Sequence, residues 1–434
     1  MSNLSELLPA GAGAKSAKFV ASGTLASGVT VGLKSNGQVG AVSIVASSPV
    51  VFETGYVQFT QAAFDSNSNK VVVAYMDSGN SNYGTVVIGT VSGSTISFAT
   101  PVVFVSASAQ YTFPVFDPST NKIVLLYSTP AAKGQALVGT VSGASISFGT
   151  AVTFEGSDDA EYIAAVYDAK DQKVVIAYRG VSNYGYAIVG TVSGTSISFG
   201  SKATFYSVYL QFIGIAYDST AEKVVIGYYG ASGYGRAVVG TVSGTSISFG
   251  TEVIFAGNGD ASFISPVYDS NANKIVISYI DAGNSNYGTA IVGTVSGTSI
   301  SFGTAVVFAA ATTEVSNSIF DSANNKVVIA FNDGGNSLYG TAIVGTVSGT
   351  SISFNSELVF EPAETTQIGI TFDSSANKTI IAYNDAGNSN YGTAVTFDAT
   401  AISSSDFVGI TDEAIANTAT GSVVVQGGVI TNTG

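Results

Sequence analysis

Three observations predict an all-β chain built from repeated four-stranded sheets. Val, Ile, Thr, Ser and Tyr dominate the 434-residue sequence, and its 50 glycines punctuate short apolar runs. That is the composition of strands and turns, not of helices. An aromatic–Asp pair recurs at Phe64-Asp65, Phe116-Asp117, Tyr167-Asp168, Tyr217-Asp218, Tyr268-Asp269, Phe320-Asp321 and Phe372-Asp373, the copies lying 50 to 52 residues apart. A second marker, T-V-S-G-x-[ST]-I-S-F, begins at Thr90, Thr140, Thr191, Thr241, Thr294 and Thr346. Periods of this length belong to propellers and solenoids.

Each copy holds four strand candidates, seen most plainly in the fifth. Strand A covers Phe263–Asp269, strand B Lys274–Ile280, strand C Gly288–Val295 and strand D Ser299–Phe308. Between A and B, Asp269 is placed to cap turn amides and Asn273 to take the left-handed conformation. Between C and D, Gly297 supplies a positive φ. In the B-to-C loop, Gly283 and Gly288 are expected at unusual dihedrals. Strands B and C are nearly continuous apolar runs, so both faces of their sheets must be covered. Neighbouring copies stacked on either side provide that cover.

The ends decide between a closed ring and an open stack. The seventh copy has strands A, B and C but no D strand after Tyr391–Phe397. Ser43–Phe52 precedes the first strand A and matches a D strand. Phe52 lies 13 residues before Asp65, as Phe104 lies 13 before Asp117. Pairing this segment with the last strand C removes the unpaired edge at the junction. The expected architecture is therefore a seven-bladed β-propeller of four-stranded antiparallel blades, closed by an N-terminal strand that completes the last blade. It occupies residues 38–398, with residues 1–37 and 399–434 as attachment segments.

Composition narrows the function. The chain has no Cys, His or Trp, and a formal charge of −14 with Arg only at Arg179 and Arg236. Nucleic acid is excluded as a partner, because a basic groove for phosphates is missing. No stretch approaches the length of a membrane span, so no membrane insertion is expected. The N-terminal residues lack the pattern of a secretory signal. Without His or Cys the usual nucleophile–base pairs are absent. Carboxylates do gather in the D-to-A loops, at Glu155, Asp158, Asp159, Glu161, Asp260, Glu314, Glu361 and Glu364. A carboxylate pair would suit a glycosidase, but acidic loops on so acidic a chain read first as solvated. The D-x-G-N-S-x-Y-G loop offers oxygen ligands for Ca²⁺, for example Asp281, Asn284 and Ser285. Its one carboxylate per loop favours a capped turn instead. No cofactor is expected, with Ca²⁺ as the alternative.

In the expected register, loops A-to-B and C-to-D share one face, and loops D-to-A and B-to-C share the other. The first set is nearly uniform among copies. The second varies in copies two to four. This variable face carries Tyr111, Lys133, Tyr162, Arg179, Tyr206, Tyr209, Tyr229 and Arg236, all expected to be exposed. Tyr and Arg are typical binding anchors, and functional residues collect on loops held by a rigid scaffold. Drift of these loops after duplication is the competing reading.

The flanks add a resemblance. Ser5–Val39, SELLPAGAGAKSAKFVASGTLASGVTVGLKSNGQV, resembles the openings of repeat-rich tail-fibre-like structural proteins of marine bacteriophages. Phe407–Asn432, FVGITDEAIANTATGSVVVQGGVITN, resembles a segment near the C-terminal part of the same proteins, and YGTAIVGTVSGTSISFGTAVVF resembles their central repeats. The resemblance covers nearly the whole chain and carries no catalytic residues. It implies a virion component, assembled in the host cytoplasm, that binds other virion proteins through both termini and a host surface glycan or protein through its propeller. A cellular lectin-like propeller or adhesin is the alternative, and a glycosidase the weakest one. A homo-oligomer is compatible with either.

Overall fold

The computed structural model describes residues 15–21, 30–33, 39–41, 45–130, 133–156, 160–257, 261–399, 407–411, 414–416 and 418–426. The chain is all-β, with several antiparallel sheets. Among the described residues no helix is long and apolar enough to cross a membrane. It divides into two compact units, Met1–Ile44 with Thr400–Gly434, and Val45–Ala399.

The first unit joins the two flanks. Its sheet runs in the order Lys15–Val20, Thr420–Gln426, Phe407–Thr411, Thr30–Leu33, Val39–Ala41. Ala21, Val31, Val39, Ile415 and Val423 form its small buried core.

The second unit contains seven copies of one antiparallel motif. In the second copy, strand A is Gln110–Asp117, B is Lys122–Thr129 and C is Lys133–Ser142. Strand D is two pieces, Ser145–Phe148 and Val152–Glu155, both paired with C. The sequence reading expected D to be continuous. At the break the next copy's C-to-D turn approaches closely: a Cβ on Gly149 would lie 1.9 Å from the Thr195 carbonyl oxygen. Three of the D-to-A junctions are not loops. Strand D runs straight into the following strand A over Val50–Asp65, Val306–Asp321 and Leu358–Asp373.

The turns behave largely as their residues dictate. Asp65 Oδ1 accepts from the Asn67 and Ser68 amides, at 2.9 and 3.1 Å, and Asn273 and Gly297 have positive φ. Gly283 and Gly288 do not. Ser285 and Asn286 take the left-handed conformation instead. Gly288 is glycine for another reason: a Cβ there would sit 2.3 Å from the Phe308 ring.

That ring position defines the seam between copies. Phe154 of strand D packs against Tyr178 of the next strand B at 5.2 Å and against Phe199 of the next strand D at 6.0 Å. The pattern repeats as Phe104–Tyr127–Phe148, Phe205–Tyr228–Phe249, Phe255–Tyr279–Phe302 and Phe308–Phe331–Phe354. Each buried cluster therefore draws on two adjacent copies.

The same seam joins the last copy to the first. Val50 pairs with Ala394 and Val51 with Thr393, while Val45 and Ala46 pair with Asp398 and Phe397. The N-terminal segment thus repeats the two-piece D strand of the other copies. Phe52 lies over Gly392, where a Cβ would meet its ring at 2.5 Å, and contacts Tyr75 and Phe98 at 5.3 and 5.4 Å. Ile380, Ala382 and Ala394 share one buried cluster with Phe52, Val71, Val73 and Tyr75. Strand A of each copy lies beside strand A of the next, and that of the seventh beside that of the first.

Removing a buried Phe side chain from a packed core costs about 3–5 kcal/mol. Phe52→Ala is expected to lower the stability of this unit as much as Phe308→Ala does, by urea unfolding. A neutral Phe52→Ala beside a costly Phe308→Ala would show that the N-terminal segment does not pack in the seam.

Candidate functional site

The seven A strands line a cavity of about 920 Å³. Six residues before each aromatic-pair Asp, strand A carries a bulge that shifts its register against strand B, as between Gln58 and Gln61 or Gln110 and Phe113. At this point Phe59, Tyr111, Tyr162, Phe212 and Phe263 have φ of 48 to 52°. Bulky side chains seldom adopt such backbone angles, and bulges re-aim a side chain. All five rings are half-buried and line the cavity. They stand in file with centroids 4.9, 5.4, 5.5 and 5.0 Å apart, tilted to one another. Aromatic pairs favour tilted and edge-to-face arrangements of this kind.

The file ends at the sixth and seventh copies, where Val315 and Gln367 hold the equivalent positions. Here polar groups enter the wall, beside apolar Val315, Ile319 and Ile368. Ser265 Oγ donates to Asn317 Oδ1 at 2.9 Å, and Asn317 Nδ2 reaches the Ile368 carbonyl at 3.3 Å and Gln61 Oε1 at 3.4 Å. Gln367 Oε1 accepts from the Phe59 amide at 2.6 Å. No charged side chain is among the described residues lining the cavity. Burial pushes the Tyr162 phenol upward, with Tyr209 adding to it and the Gln211 hydrogen bond opposing. At the other end of the cavity Tyr217 is pushed up to about 12, chiefly by burial and then by Asp168. These phenols stay neutral near pH 7.

Five of the eight sequence candidates come together beside the file. Tyr111 lies between Phe59 and Tyr162. Arg179 sits over the Tyr162 ring at 4.9 Å and the Tyr209 ring at 5.5 Å, pairs with Glu161, and donates to the Leu210 carbonyl at 3.3 Å. With its side chain 12% exposed, it is a buttress for the two rings. Tyr209 is 45% exposed, and Tyr229 stands edge-on to Phe212 at 6.3 Å. Gln211 Nε2 donates to the Tyr162 hydroxyl at 3.0 Å. Lys133 is exposed at the start of its strand, with no polar partner among the described residues.

Tyr206 and Arg236, like Arg179, correct the expectation of exposure. Tyr206 is 9% exposed, accepts from the Ala231 amide at 2.8 Å, and packs on Tyr228 at 5.0 Å. Arg236, 14% exposed, pairs with Glu252 at 2.6 Å and lies over Tyr206. Both point along the seam between the third and fourth copies, where strand D of the third carries Tyr206 and strand C of the fourth carries Arg236.

Several of the loop carboxylates have local partners. Glu155 is buried against Lys202 at 2.6 Å and accepts from the Tyr178 hydroxyl. Glu361 accepts from Tyr383 and Glu53 from Tyr75, at 2.8 and 2.9 Å. Neither they nor Glu161, Glu314 and Glu364 line the cavity. Asp158, Asp159 and Asp260 lie outside the described residues. Asp77, Asp333 and Asp385 accept from backbone amides of the turns that follow them. Among the described residues, no three His, Cys, Asp or Glu side chains gather as a metal would require.

The sequence reading missed Phe59, Phe212 and Phe263. The available signal was a column: five of the seven residues at this repeat position are aromatic.

No protein-family model and no curated protein matches this chain. Among solved structures, a protein of unknown function from Dyadobacter fermentans is similar at a TM-score of 0.51 and 11% identity, over 82% of this chain and 99% of that one. The likeness concerns the fold. The SapL1 lectin in complex with alpha methyl fucoside matches at a TM-score of 0.45 and 11% identity, over 71% of this chain and 97% of that one.

Burial raises the Glu361 carboxyl above its ordinary value, the Tyr383 hydrogen bond opposing and Asp385 adding to the rise. The folded state then holds this proton more tightly than the unfolded chain. The contribution to stability is fully present below the unfolded value near 4.5 and is lost as pH rises through the folded one. Glu361→Gln is therefore expected to gain stability relative to the parent between pH 5 and pH 8, in urea unfolding, a comparison on the order of three pH units. An unchanged difference across that range would mean the carboxyl titrates normally.

Proposed function

We propose that Val45–Ala399 is a closed seven-bladed β-propeller that binds a surface glycan through the face bearing the aromatic file. The file of Phe59, Tyr111, Tyr162, Phe212 and Phe263 carries this reading. A ring of strands has no structural need for five half-exposed aromatic rings on strained backbone, and such outliers point to function. Sugar rings present flat C–H faces that dock on aromatic faces, and aromatic side chains supply rigid contact area at low entropic cost. The closed ring is supported by the Val50–Ala394 pairing and by strand A of the seventh copy lying beside that of the first.

The register favours this face. Strand A runs from the file towards its terminal Asp, and Val45 and Asp398 pair at the Asp end. The two ends of the propeller leave side by side, away from the file. The flanks meet in one sheet of their own, which suits a mounting module. Together with the resemblance of both flanks to tail-fibre-like phage proteins, this supports a virion component whose flanks hold other virion proteins and whose propeller meets the host surface.

A glycan array probed with the full chain is expected to give specific binding. Tyr162→Ala and Phe212→Ala should each weaken it about tenfold, the loss of a well-packed aromatic contact. Lys133→Ala should leave it unchanged. Absence of any glycan binding, or full binding by both aromatic variants, would reduce the file to internal packing. Antibody labelling of intact particles tests the virion role, and unlabelled particles would contradict it.

A further inference from the structure

The cavity has two kinds of lining. The aromatic file occupies copies one to five, and amides and hydroxyls line it at Ser316, Asn317 and Gln367 of copies six and seven and at Gln61 and Ser265 of the flanking first and fifth copies. A ligand filling about 920 Å³ would be drug-sized or larger. It would touch both kinds of lining at once, and no side chain in the described lining would neutralise a charge on it.

Burying an unpaired carboxylate or ammonium is strongly unfavourable, because the charge loses its hydration with nothing to replace it. The Arg179 guanidinium does not relieve this, because Glu161 already pairs with it. The chain's formal charge of −14 disfavours anions further. Two amide donors are unspent: Gln61 and Gln367 each use Oε1 as an acceptor, and the Nε2 of each has no partner among the described residues.

We propose that the cavity selects the uncharged end of a sugar chain. One C–H face stacks on Tyr111, Tyr162 and Phe212, while hydroxyls accept from Gln61 and Gln367. This rests on the glycan-binding reading and deepens it. Acidic sugars, such as uronic or sialic acids, are excluded for lack of a counter-charge. The preference comes from an absence of ions in the wall, not from a specific hydrogen bond to one hydroxyl.

The test is calorimetric titration of the full chain with neutral trisaccharides ending in glucose, galactose, mannose or fucose, beside trisaccharides ending in the matching uronic acids. At least one neutral sugar should bind, with its uronic counterpart about tenfold or more weaker. Tyr111→Leu, which keeps apolar volume but removes the ring, and Gln61→Ala should each weaken the neutral sugar about tenfold. Thermal unfolding confirms that each variant is folded. Equal binding of acidic and neutral sugars overturns the selectivity. Binding lost in Tyr209→Ala but intact in Tyr111→Leu and Gln61→Ala places the sugar on the rim, overturning the cavity while glycan recognition survives. No binding in any arm, with no binding on the array, removes both.

Discussion

The structure depends on a Phe ring of each strand D packing closely on a bare glycine of strand C and reaching the aromatic residue of the next copy's strand B. Phe308 on Gly288, against Phe331 and Phe354, shows the contact at one seam. Strands B and C are apolar on both faces, so no copy can bury itself alone. The Phe fills the space between sheets, and the glycine lets it approach. Any Cβ at Gly288 would push the ring out and open the seam. Seven such contacts hold strand A of each copy against the next, which fixes the cavity and spaces its lining.

At six seams both partners come from neighbouring stretches of sequence. At the remaining one, Phe52 keeps its usual spacing from Tyr75, but the glycine it packs on, Gly392, comes from the opposite end of the chain. The N-terminal segment supplies that ring. The contact is local in chemistry but non-local in sequence. Loop-closure entropy makes such a non-local contact costlier to form than its six local counterparts.

Much of this was legible in the sequence. The aromatic–Asp pairs marked the turns, and the position of Phe52 relative to Asp65 marked the segment that completes the last copy. The break in strand D was not legible, because it arises where the Thr195 carbonyl of another copy approaches Gly149. Gly288 was read as a turn residue, though its role is contact with Phe308. Of the site, Tyr111, Tyr162, Arg179 and Tyr209 were found by their chemistry in variable loops. Tyr206 and Arg236 shared that chemistry but face the seam, and facing depends on strand register that composition does not reveal. The bulge that turns Phe59, Phe212 and Phe263 towards the cavity has no residue signature beyond the aromatic column itself.

The absence of Cys in the chain permits a direct test of the closing contact. A variant with Val50→Cys and Ala394→Cys should form an intramolecular disulfide under mild oxidation of the native protein. It should do so as fully as a variant with Ala290→Cys and Val306→Cys, which occupy the equivalent pair inside the fifth copy. Crosslinking of the control pair with none between positions 50 and 394 would contradict the closed arrangement and the face on which the site is placed.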